Sequence, residues 1–173
     1  MPATSTKVYN ILMHENHNIE PVYNKDSRIL ILGSFPSVKS REEVFYYAHP
    51  QNRFWRIMEN LFELPRLETV DEKKAFLLSH NIALWDVIGE CTITGSSDSS
   101  IKDVVPNDLG KILKTGKIEA IFTNGRKSDS LYMKYQEKST GIKAMNLPSS
   151  SPANAAWNME RLIDEWKVIK EYL

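Results

Sequence analysis

The chain has 173 residues, 42% hydrophobic and 25% charged, which suits a soluble globular protein whose core needs no disulfide or metal. Its 22 Lys and Arg balance 22 Asp and Glu, and a formal charge of zero argues against a protein that grips nucleic acid by bulk electrostatics. One cysteine, Cys91, and four scattered histidines exclude an internal disulfide, an iron–sulfur cluster and a zinc ribbon, so neither metal nor other cofactor is expected.

Residues 1–20 are polar and are expected to be loose. Arg28 to Leu32 is a short apolar β-branched run ending at Gly33, the pattern of a strand buried on both faces. From Arg53 to Leu61, Phe54, Trp55, Ile57, Met58 and Leu61 recur at helical spacing, and Pro65 closes the segment. Asp71 to His80 predicts a second helix and Ile82 to Val87 a second strand. Residues 89–105, with Gly95-Ser96-Ser97-Asp98-Ser99-Ser100, read as a polar surface loop, and Pro106 as the first residue of a helix reaching about Lys114. Ile118 to Thr123 is a third strand, followed by Asn124-Gly125 and a helix through Tyr135. Lys143 to Leu147 is a fourth strand, and Ala155 to Leu173 carries the stripe Met159, Leu162, Ile163, Trp166, Ile169 of an amphipathic helix.

Strands alternating with helices predict an α/β fold, a three-layer α/β/α sandwich around a mainly parallel four-stranded sheet. No repeat or linker divides the chain, so residues 1–173 are expected to form a single domain. No apolar run approaches the ~20 residues of a membrane span, and no secretion signal opens the chain, which makes the cytoplasm the expected location and a membrane no partner. In such a sheet the functional loops lie beyond the carboxyl ends of the strands. Here those are Gly33 to Ser37, Asp86 to Gly89, Asn124-Gly125 and Pro148 to Asn154.

The common signatures of α/β enzymes are absent. Gly33-Ser34-Phe35-Pro36 lacks the further glycines of a dinucleotide fingerprint, and there is no Walker lysine, nucleophile elbow or Cys-x-x-Cys. What stands out is the long connection from Gly33 to Asn52, which carries Phe35, Phe45, Tyr46, Tyr47, His49 and Asn52. Adjacent aromatics cannot all enter one core. At least one of Phe45, Tyr46 and Tyr47 is therefore expected to face a pocket, where a ring can stack on a flat base; the alternative is that they pin the loop to the sheet.

Ile31-Leu32-Gly33-Ser34-Phe35-Pro36-Ser37, followed by Tyr46-Tyr47-Ala48-His49-Pro50-Gln51-Asn52-Arg53-Phe54-Trp55, resembles the first active-site motif of the uracil-DNA glycosylase superfamily. It is most similar to the hypoxanthine (deoxyinosine) branch, and next to the mismatch-specific uracil/thymine branch. Asn146 to Asn154, with Pro148-Ser149-Ser150-Ser151-Pro152, resembles the family's second motif, a loop that wedges into the duplex. The resemblance spans about residues 20–173. It implies a DNA repair enzyme, a monofunctional DNA glycosylase acting on hypoxanthine, or on uracil in G:U mismatches, in double-stranded DNA. A monomer is expected. Such an enzyme needs few phosphate contacts, which the neutral charge allows.

One departure matters. Most branches place Asp, Glu or Asn where this chain has Phe35, which cannot orient a water by hydrogen bonding. The deoxyinosine branch implies that Asn52 takes the catalytic role; an ordinary helix cap is its alternative reading. The resemblance aligns Tyr47 with the stacking aromatic. Phe35 is a second wall, and backbone N–H groups of Gly33, Ser34 and their neighbours are candidates for stabilising the departing base. Ser40 either reaches the base edge or is solvated. Asp86 either accepts from a ring N–H of the base or braces the rim. Pro148 and Pro152 stiffen the wedge loop, and Ser149, Ser150 and Ser151 offer hydroxyls to phosphates. Lys39, Arg41, Arg53 and Arg126 are further phosphate candidates. No lysine is placed for Schiff-base chemistry, so simple hydrolysis is expected. A different class of protein, a catalytically silent nucleic-acid-binding module on the same fold, is the alternative.

Overall fold

The computed structural model describes residues 13–17 and 19–173. Four strands form a wholly parallel sheet. These are β2 (Ile29–Gly33), β3 (Ile82–Asp86), β6 (Ala120–Asn124) and β7 (Met145–Leu147), in the order β3-β2-β6-β7. β2 and β3 are buried at every position, as continuous apolar runs demand of central parallel strands. In their register Gly33 lies directly opposite Asp86.

Helices form the flanking layers. After β2 come α1 (Val38–Glu43), α2 (Phe54–Leu61) and α3 (Val70–Ser79). α3 opens on a capping box, with Thr69 and Glu72 each accepting from the other's backbone N–H. α4 (Gly110–Thr115) leads to β6, α5 (Arg126–Tyr135) and α6 (Glu137–Thr140) to β7, and α7 (Met159–Trp166) runs on as a 3₁₀ turn over Lys167–Tyr172. Phe54, Trp55 and Trp166 pack edge to face between α2 and α7, which seats α2 under the sheet's carboxyl rim. Among the described residues no helix is long and apolar enough to cross a membrane.

A second sheet corrects the sequence reading. β1 (Met13–Asn16), β4 (Ile88–Ile93) and β5 (Lys102–Pro106) form an antiparallel ribbon in the order β1-β4-β5. Residues 89–93 and 102–105 are thus strand, and only the Gly95–Ser100 stretch between them is the exposed loop expected; part of the segment expected to be loose is an edge strand, and residues 1–12 lie outside the described residues. Pro106 ends β5 rather than starting a helix. A ring without an N–H is tolerated there because β5 is an edge strand.

Candidate active site

The carboxyl ends of β2, β3, β6 and β7 converge on a pocket of about 350 Å³. Its floor is the Gly33–Asp86 pair. The absence of a side chain at Gly33 is a packing requirement, because a methyl there would overlap Asp86 Oδ1 and come within 3.0 Å of the Tyr47 hydroxyl oxygen.

Asp86 is 3% exposed, and its Oδ2 has no hydrogen-bond partner among the described residues. Burial, reinforced by the charge of Asp98, raises its pKa to about 7. His17 Nε2 lies 3.8 Å from Asp86 Oδ2 but does not neutralise it. That nitrogen donates to the Ile88 carbonyl at 2.7 Å, while Nδ1 accepts from the Ile19 N–H at 3.3 Å. Both ring nitrogens are therefore matched by the neutral imidazole, and burial lowers the His17 pKa in agreement.

Three consecutive aromatics part company in the loop above this floor. Phe45 stacks on Trp55 with the rings 14° from parallel, and Tyr46 is buried with its hydroxyl donating to the Glu20 carbonyl at 2.8 Å. Tyr47 adopts a left-handed backbone with φ 54°, unfavourable for a residue with a Cβ by about 1–2 kcal/mol. That turn brings its ring onto Phe54, centroids 4.2 Å apart, and its hydroxyl into the pocket wall. Burial and the nearby Asp86 hold the Tyr47 phenol protonated. Phe35 forms another wall, edge-on to His17 and covered by the Arg41 guanidinium. The Gly33 and Ser34 carbonyls accept from Val87 and Ile88, whereas the Ser34 and Phe35 N–H groups have no protein acceptor among the described residues.

Asn52 stands two residues before α2, whose cap position falls on Arg53 instead, and its side chain performs two jobs at once. Oδ1 accepts from the Phe54 N–H at 3.0 Å, a helix-start contact, and from the Ser150 hydroxyl at 2.9 Å. Only oxygen can face the Phe54 N–H, so the amide orientation is fixed and Nδ2 is the end left for a ligand. Ser150 is wholly buried; besides donating to Asn52 it accepts from Asn124 Nδ2 at 3.0 Å. Its hydroxyl is thus fully engaged, whereas the Ser149 and Ser151 hydroxyls only accept, from the Ser151 and Ala153 N–H groups.

Arg53 also departs from expectation. Its guanidinium donates to the carbonyls of Ser151, Asn154 and Trp157, and its backbone N–H to the Ser150 carbonyl. It ties residues 150–157 to the start of α2 instead of meeting a phosphate. Arg41 is similarly engaged, by the Gly95 carbonyl and Glu15, and Lys39 pairs with Glu43.

The description of the uracil DNA glycosylase superfamily fits residues 20–172. The chain belongs to that superfamily. It is 36% identical over 152 residues to a hypoxanthine DNA glycosylase from Methanosarcina acetivorans, covering 86% of this chain and 93% of the relative. A hypoxanthine DNA glycosylase from Methanosarcina barkeri is 34% identical over 140 residues, covering 78% and 85%. A solution NMR structure of a candidate uracil DNA glycosylase from M. acetivorans superposes with a TM-score of 0.77 at 32% identity, covering 91% of this chain and 96% of that one.

In this superfamily member the pocket gathers Gly33, Ser34, Phe35, Ser40, Tyr47, Asn52, Asp86, Ser149, Ser150 and Ser151, all singled out from the sequence. Pro148 lines the adjoining groove instead. Ser40 is buried, and its hydroxyl oxygen accepts from the Ala48 N–H and the Ser37 hydroxyl, which holds the aromatic loop over α1. Sequence reading missed Asp98 and His17 as parts of the site or its support, and nothing local distinguishes them. Asn124 ends a strand at the expected rim, and Tyr46 is one of the three aromatics of which at least one was expected to face a pocket.

Proposed function

We propose that this chain hydrolyses the N-glycosidic bond of a deaminated base flipped out of duplex DNA, hypoxanthine first and uracil opposite guanine second, leaving an abasic site. DNA glycosylase activity accords with the superfamily and with the names of both Methanosarcina relatives. The observation that carries the choice of base is Asp86, a carboxylate on the pocket floor whose oxygens take no hydrogen bond among the described residues. A carboxylate accepts a hydrogen bond from the ring N–H of hypoxanthine or uracil. Adenine and cytosine present a lone pair at the corresponding nitrogen and are repelled.

In this reading the base enters beside Tyr47, whose other support is Phe54, and the free Ser34 and Phe35 N–H groups meet the electron-rich departing base. Asn52 Nδ2 donates to the attacking water through one of its lone pairs, leaving the other for C1′. An amide cannot remove the water's proton, so bond breaking must run well ahead of water addition, and the rate is modest. No lysine lines the pocket among the described residues, in keeping with hydrolysis and no Schiff base.

The experiment presents duplexes bearing deoxyinosine, uracil opposite guanine or thymine opposite guanine, and scores abasic sites by alkali. Excision is expected in the order hypoxanthine, uracil, thymine, with strands intact before alkali. Abasic sites on none of them would leave the silent binding module as the better reading, and strand breaks before alkali would sink monofunctional hydrolysis.

A further inference from the structure

The pocket opens into a second concavity, a groove bordered by Arg126, Asn146, Pro148 and Trp157. Four residues line both: Asp98, Ser149, Ser151 and Ala153. A flipped nucleotide places its base in the pocket and its phosphates along the outer groove, so its deoxyribose lies where the two meet. Asp98 is the titratable residue at that junction.

We propose that Asp98 faces the deoxyribose of the flipped nucleotide and stabilises the positive charge that develops on C1′ and O4′ as the base departs; this rests on the glycosylase reading above. The carboxylate is aimed rather than adrift. It stands at the head of the 3₁₀ turn Asp98–Ser100 between β4 and β5, and the Ser34 hydroxyl donates to its Oδ1 at 3.1 Å. Phe35, the next residue in the floor loop, is uncharged, and Asn52 offers only a neutral amide. A negative group on a surface that phosphates must approach opposes binding, and Lys127 nearby offsets this only in part. That arrangement becomes favourable when a cation forms within its reach, because attraction then appears in the transition state and not in the bound substrate.

The electron count closes without ionisation changes at Asp98. The C1′–N9 bond breaks with its pair leaving on the purine, which gains a proton. Water then supplies a pair to C1′ and releases a proton to solvent.

The test uses two uncleavable duplexes, one with a neutral tetrahydrofuran abasic analogue and one with a cationic pyrrolidine analogue. Wild type is expected to bind the cation about tenfold more tightly, and Asp98→Asn to bring that ratio near one while changing tetrahydrofuran affinity less than about threefold. Single-turnover hypoxanthine excision by Asp98→Asn should fall about 100-fold, and Ser34→Ala should give an intermediate ratio. Asp98 is exposed, and matching thermal melts verify that the variant is folded. A wild type without charge preference, or an Asp98→Asn protein that keeps it, overturns the proposal. Charge-selective binding by a wild type that excises no hypoxanthine upholds Asp98 and rejects the assigned base.

Discussion

Replacing Asp86 by Asn removes the ionisation that makes this group costly to bury, and the effect on stability can be worked from the structure. The ordinary carboxyl value is 3.8 and the folded value is about 7. Between those values the native protein holds a proton that the unfolded chain has released, so wild-type stability falls as pH rises and levels off above about 7. At about 1.4 kcal/mol per tenfold, the full loss is about 4 kcal/mol. Asn carries no such ionisation. An imperfectly paired amide in the same place offsets about 1–2 kcal/mol. At pH 8 Asp86→Asn should therefore be the more stable protein by about 2–3 kcal/mol, and at pH 4–5 the order should reverse or vanish. Urea unfolding of both proteins at pH 5, 6.5 and 8 reads the gap directly. A gap that does not widen with pH refutes the reasoning, since it would mean that Asp86 is not a costly buried carboxylate. A more stable protein with impaired base selection is the expected outcome where a site keeps an unfavourable group for function.

If Asp86 accepts from the base as proposed, hypoxanthine excision should rise with pH through about 7, where its carboxyl ionises, and pre-steady-state rates from pH 5.5 to 8.5 trace the curve. Asn52→Asp keeps an oxygen for the Phe54 N–H but loses Nδ2, whereas Asn52→Ala loses both. Both should cut single-turnover excision by about 100-fold, and only Asn52→Ala should cost about 1 kcal/mol in urea melts. Arg53→Ala, which frees residues 150–157, should weaken DNA binding without altering its salt dependence. Arg126→Ala, at the groove, should reduce the slope of log K against log salt by about one, as fluorescence anisotropy across a salt series would show.

The parallel sheet was legible because β2 and β3 are apolar runs without the polar alternation of a half-solvated strand, a pattern that burial on both faces makes favourable. The ribbon was not. β5 is an edge strand whose residues are all exposed or half-exposed, and Lys102 to Pro106 has only the adjacent Val104 and Val105, without the alternation of a half-buried strand. The motif loops pointed to the pocket through their residue types, and Asn52, whose Oδ1 holds a helix-start N–H while the residue lines the pocket, fits both of its readings. Asp98 was hidden for a different reason. It meets Ser34 across 64 positions of chain, and only the antiparallel fold-back of β4 and β5 brings it there.

That fold-back gives the site a separable wall. β4 starts two residues after Asp86, so the ribbon is rooted beside the floor, while its tip crosses to Ser34, Val38 and Arg41. The tip residues Gly95 to Asp98 are exposed, and a side chain at Gly95 would meet nothing within 4 Å. Insertions or deletions there can reshape the mouth while the register of Gly33 against Asp86 stays untouched. The mouth and the floor of the pocket are thereby carried by different stretches of chain, and selection can vary the first without disturbing the second.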